Sequence, residues 1–208
     1  MKRTCMLLVG LALAAPAAAQ DAPALSIRPF VLGAGQSFAA VDTFDAVFGR
    51  SYDVFLGGGV QVVVQDRFYF EGTASRFTQK GQRAFRSGGQ NFRLGIPLTA
   101  TIIPFEVTAG YRFHLSPRLR PYIAAGVGTY GYKETSEFSD PAENVDVRHV
   151  GFVANGGAEF RLHRWLGLGA DVQYTHVPGI LGVSGVSQQA GENDLGGVAA
   201  RLKLIVGR

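Results

Sequence analysis

Residues 149–176 read HVGFVANGGAEFRLHRWLGLGADVQYTH. Up to Leu162, the side chains of Val150, Phe152, Ala154, Ala158, Phe160 and Leu162 alternate with His149, Gly151, Asn155, Gly157, Glu159 and Arg161. Past a turn at His163-Arg164, Leu166, Leu168, Ala170, Val172 and Tyr174 alternate with Gly167, Gly169, Asp171, Gln173 and Thr175. Period two on both sides of a short turn predicts a β-hairpin with one apolar and one polar face. Which face meets water decides the fold.

The same period continues in both directions. It predicts strands near 25–38, 54–65, 68–78, 98–114, 119–133, 148–162, 165–176 and 195–206. Short polar turns at Asp66-Arg67, Ser116-Pro117-Arg118 and His163-Arg164 alternate with longer connections near 39–53, 79–97, 134–147 and 177–194. Short turns therefore share one end of the sheet and long loops the other, as in an up-and-down meander. Eight strands suffice to close such a meander into a barrel.

The polar face is rich in glycine rather than lysine and glutamate: Gly57 and Gly59 accompany Gln61, Gly126 and Gly128 accompany Tyr122, and Gly167 and Gly169 accompany Asp171. Small residues between a few large polar ones suit the crowded interior of a narrow barrel, whereas a solvated face has no need of them. The apolar face carries Phe105 with Phe113, Phe152 with Phe160, and Leu166 with Tyr174, each pair eight residues apart. That spacing is roughly 26 Å along a strand and about 20 Å in height once the strand tilts, the separation of two aromatic girdles at a membrane's surfaces. The apolar face is thus expected to meet lipid, and the polar face a lumen. The alternative, a soluble sandwich or lipocalin-like barrel, would place the apolar face inside.

The chain ends agree with export. Lys2 and Arg3 precede an apolar run from Met6 to Ala15 and the small residues Ala17 to Ala19, a pattern that predicts a signal peptide over 1–19 and a mature barrel domain over 20–208. A retained anchor is disfavoured because the run is too short to span a bilayer. Cys5, the only cysteine, lies inside the leader, so no disulfide or thiolate metal site is expected. The formal charge of +4 includes the leader's two bases and does not point to nucleic acid.

With its leader, the stretches VTAGYRF and RPYIAAGVGTYGYK on either side of a short turn, and its paired glycine-rich strands, the chain resembles the small outer-membrane β-barrel superfamily, the outer-membrane protein A/W-like group. The resemblance implies an all-β, eight-stranded antiparallel barrel in the outer membrane of a Gram-negative-type envelope, lipid as its surroundings, no cofactor, and a porin-like or structural role as a monomer. Such barrels commonly end in an aromatic residue, whereas this sequence ends Leu204-Ile205-Val206-Gly207-Arg208.

By parity the lumen receives Glu71, Glu106, Arg112, Glu159, Arg161, Asp171, Arg201 and Lys203, together with Arg28 less securely. Acids facing bases in a poorly hydrated space predict a neutralising network that plugs the barrel, because an unpaired charge there costs several kcal/mol, of that order. A gated polar path is the other reading. Phe105, Phe113, Phe152, Phe160 and Tyr174 are the expected girdle aromatics. Residues 40–50, with Phe44 and Phe48 on one face and Gly49 at the end, predict a short amphipathic helix in the first loop. The second loop is basic, with Lys80, Arg83, Arg86 and Arg93, and is a candidate site for lipopolysaccharide phosphates; the third is acidic, with Glu134, Glu137, Asp140, Glu143 and Asp146, yet lacks the EF-hand spacing.

Catalysis finds little support. His114 and Ser116 are two residues apart but lie at the short-turn end, and the following strand brings no carboxylate to orient the histidine. The remaining histidines, His149, His163 and His176, are scattered and make no metal triad. The expected function is therefore structural, surface-interacting or passive towards small solutes. The rivals are uptake of small apolar ligands through the outer mouth and, more remotely, lipid modification.

Overall fold

The computed structural model describes residues 25–136, 145–183 and 185–207. The expected leader, and Glu137, Asp140 and Glu143 of the acidic loop, lie outside the described residues. Eight strands pair in sequence order and close on themselves: β1 (Ser26–Phe38), β2 (Tyr52–Val64), β3 (Phe68–Ser87), β4 (Gln90–Arg112), β5 (Leu119–Ser136), β6 (Val145–His163), β7 (Leu166–His176) and β8 (Gly197–Val206), with every neighbouring pair antiparallel. Among the described residues two helices interrupt the long connections, α1 (Val41–Phe48) and α2 (Gly185–Ala190). Among the described residues no helix is long and apolar enough to cross a membrane.

The register sets the shape. A line of backbone partners followed round the wall from Arg28 through Gln61, Glu71, Thr108, Gly126, Val153, Thr175 and Gly197 returns to β1 at Phe38, ten residues further along. A stagger of ten residues over eight strands corresponds to a strand tilt of about 40° and a rise along the barrel axis of about 2.5 Å per residue. Outward side chains are exposed and apolar, inward ones buried, strand after strand; β8 alternates without a break from Gly197 to Val206.

Two of the short turns lie one residue away from their expected places. Gln65 and Asp66, both with left-handed backbone (φ 52° and 57°), form the β2–β3 turn, and Arg67 N–H closes it on Val64 carbonyl at 3.2 Å. Two left-handed central residues make a turn whose twist matches that of the paired strands. That turn is one residue earlier than expected, whereas the β6–β7 turn lies one residue later, at Arg164-Trp165, with His163 facing Leu166 across it.

The main correction concerns residues 79–97. This segment is not a loop: β3 and β4 continue through it as a hairpin that ends at Gly88-Gly89, where both glycines adopt positive φ (59° and 79°). β3 and β4 have 20 and 23 residues, against 10 to 13 for β1, β2, β7 and β8. The surplus stands clear of the wall, with the Phe85 and Phe92 rings stacked at 5.0 Å. Beyond the apolar belt neither face of a hairpin need be apolar, so the alternation that marks the other strands is absent there.

Candidate functional site in the lumen

Inward glycines clear the space that the lumen's long polar side chains fill. A Cβ on Gly167 would lie 2.8 Å from Glu159 Oε1, and one on Gly151 would lie 2.9 Å from the Tyr130 ring. The short-turn half of the lumen is then occupied by ion pairs that cross it. Glu159 of β6 receives Arg28 of β1, on the far wall, through both guanidinium nitrogens, one at 3.0 Å, and Arg112 of β4 at 2.8 Å. Lys203 of β8 reaches Glu71 of β3 at 2.6 Å and Asp171 at 3.3 Å. Arg201 donates through Nε to Asp171, its register partner on β7, at 2.5 Å, and Tyr122 donates its hydroxyl to the same carboxylate at 2.6 Å. Glu106 accepts from Tyr130 at 2.7 Å and Gln173 at 3.0 Å, with Arg201 at 3.9 Å.

Of the eight charged residues expected in the lumen, seven meet in these contacts. Arg161 does not. It is half-buried at the short-turn mouth, where the β6–β7 register slips between Arg161 and His163, and it makes no ion pair among the described residues. Its place is taken by Arg28, and Arg120 adds a further buried base by bonding Asp66. Arg120 begins a strand beside Pro121, where parity is poorly defined in the sequence.

Asp66 gathers three partners at the short-turn rim: Arg120, Arg112 at 3.5 Å and His114 Nε2 at 3.2 Å. Burial works against its charge. The bonds to His114 and Arg120 and the fields of Arg120 and Arg112 prevail, holding the carboxyl below its ordinary value. The expectation that no carboxylate orients His114 is therefore corrected: the acid comes from the neighbouring turn rather than the following strand. Ser116 is engaged elsewhere, its hydroxyl accepting Leu119 N–H at 2.9 Å.

The outer half of the lumen is apolar. Phe38, Phe77, Leu98, Ile102, Tyr130 and Tyr132 of the wall pack with Phe44 of α1 and with Val177, Ile180, Leu181 and Leu195 of the last connection. Phe44 stacks on Phe38 at 4.0 Å. The expected first-loop helix is thus a plug in the mouth. It lacks a capping side chain at Ala40; instead Glu192, 150 positions on, accepts Asp42 N–H at 3.0 Å, Thr43 N–H at 2.8 Å and the Thr43 hydroxyl at 2.6 Å. An anion at this end satisfies free N–H groups and complements the helix dipole. At the other end Arg93 donates to the carbonyls of Ala46 (3.1 Å) and Asp45 (3.2 Å), while Arg86 bonds Asp42 in the first turn. Two of the four bases expected to meet lipid phosphates are therefore committed to α1. Between the polar and apolar halves lies a cavity of about 30 Å³, bordered by Glu106, Gln173 and Arg201 below and by Phe38, Phe77 and Leu195 above.

On the outside, Phe105, Phe113, Phe152, Phe160 and Tyr174 are all exposed on the apolar wall. By the register, Phe105, Phe152 and Tyr174 form a band near the crown and Phe113 and Phe160 a band near the turns, roughly 20 Å apart along the axis. In the acidic loop Glu134 accepts the Tyr132 hydroxyl at 2.8 Å, and Asp146 faces Lys133 at 3.6 Å.

A closed, staggered barrel with a packed polar interior and an apolar outer belt has its counterpart in sequence: the family model for the outer membrane protein beta-barrel domain matches residues 5–195. This chain belongs to that family. Among solved structures, the outer-membrane β-barrel OprG from Pseudomonas aeruginosa is 13% identical with a TM-score of 0.56, covering 88% of this chain and 95% of its own. Ail, the attachment invasion locus protein of Yersinia pestis, solved with the heparin analogue sucrose octasulfate, is 13% identical with a TM-score of 0.50 over 88% of this chain and 97% of that one. At such identity these outer-membrane barrels share the fold alone with this chain. No curated protein matches it.

Proposed function

We propose that this outer-membrane barrel is a closed, non-catalytic, monomeric scaffold, exported by a leader removed after Ala19, which holds its crown of helices and the β3–β4 hairpin at the cell surface. Any passage of solutes through it is slow and passive. The observation that carries this reading is the double closure of the lumen, by crossed ion pairs in one half and by α1 and the last connection in the other, with only about 30 Å³ between them. An eight-stranded interior is just wide enough for side chains to fill. Full-length protein reconstituted in planar bilayers is expected to conduct negligibly; a large, steady, ion-selective conductance would replace the scaffold by a channel.

A second reading, capture of small apolar compounds, is favoured by a groove of about 570 Å³ in the crown, where Val47, Leu94, Tyr132, Val147, Ile180 and Val183 converge. Its test is saturable binding of a small apolar fluorophore to protein in nanodiscs, abolished by Val147→Glu.

A further inference from the structure

The outer face of the wall is not uniform. Four exposed bases point away from the lumen near the crown, Arg76 and Lys80 on β3, Lys133 on β5 and Arg148 on β6. Heights counted along the register put Arg76 level with the Phe105–Phe152 band and the other three roughly 10 Å above it. This is the depth of lipid headgroups, and on a helix or strand an outward base at that depth extends its charge to the phosphate layer. Gly131, the register partner of Arg148, offers no side chain, and the Arg148 guanidinium lies over it, 3.6 Å from where a Cβ would be, leaning towards β4. Thr78 and Thr101, hydroxyls 3.4 Å apart, sit between the bases on the same face. Among the described residues only Lys133 carries an ion pair, the long and exposed contact with Asp146.

Directly below these bases the wall is hollow. Gly58, Gly72 and Ala74 leave a shallow apolar depression of about 710 Å³ flanked by Val60, Phe105 and Val127. A Cβ on Gly72 would meet nothing within 4 Å, so packing within the protein does not require this glycine. An apolar hollow beneath cations and hydroxyls that rise obliquely on one side of the barrel, from Arg76 at the aromatic band to Arg148 roughly 10 Å higher, has the layout of an acylated, phosphorylated lipid: chains below, sugar hydroxyls and phosphates above.

We propose that the β3–β6 wall binds a bis-phosphorylated acylated glycolipid of the outer leaflet, with its chains in the Gly58–Gly72–Ala74 hollow and its phosphates on Arg76 and Arg148. Three strand spacings, about 14 Å along the wall, separate these two arginines, too far for one phosphate and suited to two carried at opposite ends of a disaccharide. Guanidinium groups favour phosphate through paired N–H donors. The proposal rests on the placement of this wall in the outer membrane and is independent of whether the lumen conducts.

The test is native mass spectrometry of the refolded full-length protein in detergent, titrated with bis-phosphorylated lipid A, its mono-phosphorylated form and phosphatidylglycerol. The expected result is a one-to-one complex with the bis-phosphorylated lipid, at least tenfold tighter than with either of the others. Arg76→Ala with Arg148→Ala should weaken that complex tenfold or more, and Gly72→Leu should weaken it without any change of charge. Migration of unheated protein on gels monitors the barrel in each variant. Equal affinity for the three lipids, or retention by a folded double variant, overturns the proposed site while leaving the barrel intact; a chain that forms no compact, heat-modifiable species overturns the membrane placement itself.

Discussion

Asp66 shows how one side chain joins three parts of the chain. It occupies a left-handed turn position (φ 57°) and collects His114 and Arg120 from the next hairpin. Its folded carboxyl titrates below the ordinary value of about 3.9, so its contribution to stability is fully present above that pH and is lost as the pH falls through the depressed folded value. Asparagine also tolerates a left-handed backbone, which makes Asp66→Asn a substitution of charge alone. Urea unfolding in lipid vesicles should find this variant less stable than wild type at pH 7, by a margin that closes as the pH is lowered through the depressed folded value. A deficit that persisted in acid would assign the effect to the turn rather than to the ion pairs. Nothing in the local sequence around Asp66 announces these partners, which lie 48 and 54 positions away.

Among the elements, α1 is the clearest case of local sequence completed by distant structure. Its apolar spacing and terminal Gly49, which takes φ 77° and returns its N–H to Asp45 carbonyl at 3.0 Å, are local signals. Its N-terminal cap is not, because Ala40 has nothing to offer and Glu192 supplies the carboxylate. Glu192→Ala should cost about 1 kcal/mol, as loss of an N-cap does. The loss should be confined to the crown: hydrogen exchange at Asp42 and Thr43 accelerates while strand amides in the wall keep their protection. Uniform acceleration would mean instead that the plug and the wall open together. The β3–β4 hairpin gives the opposite lesson, since Gly88-Gly89 flanked by Phe85 and Phe92 is a hairpin signal in the sequence that the polar surroundings obscured.

For the whole molecule, the lipid face and the lumen respond differently to charge. Leu202 lies near mid-height of the apolar belt and Phe152 in its crown-side band, both largely exposed. Leu202→Arg should destabilise the inserted barrel by about 2–4 kcal/mol and Phe152→Arg by less, following depth in the bilayer. Equal costs in refolding titrations would contradict the heights given by the ten-residue stagger. Inside, Glu159→Ala leaves Arg28 buried without its acid and Arg112 with Asp66 alone, at 3.5 Å, a loss of roughly 3–5 kcal/mol. Conductance in planar bilayers should rise as the lumen hydrates around them. Arg28→Ala combined with Glu159→Ala should recover part of the stability, the coupling being isolated by the double-mutant cycle; additive losses would show that the pair across the lumen carries no energy.

The sequence by itself determined that there are eight strands, which face of each is apolar, and where the short turns at one end lie, to within a few residues. These are properties of period two and of turn residues, and they are written within a few positions of one another. From the glycine content of the polar face it also determined that this face is enclosed, which decides membrane barrel over soluble sandwich. Only the tertiary structure decided which charges meet. Arg28 finds Glu159 131 positions away, and Lys203 finds Glu71 132 positions away. Those pairings depend on the stagger accumulated over all eight strands, which no single strand encodes. Arg161 has the right parity but lies below the network, and it is left at the mouth because parity specifies a face and not a height.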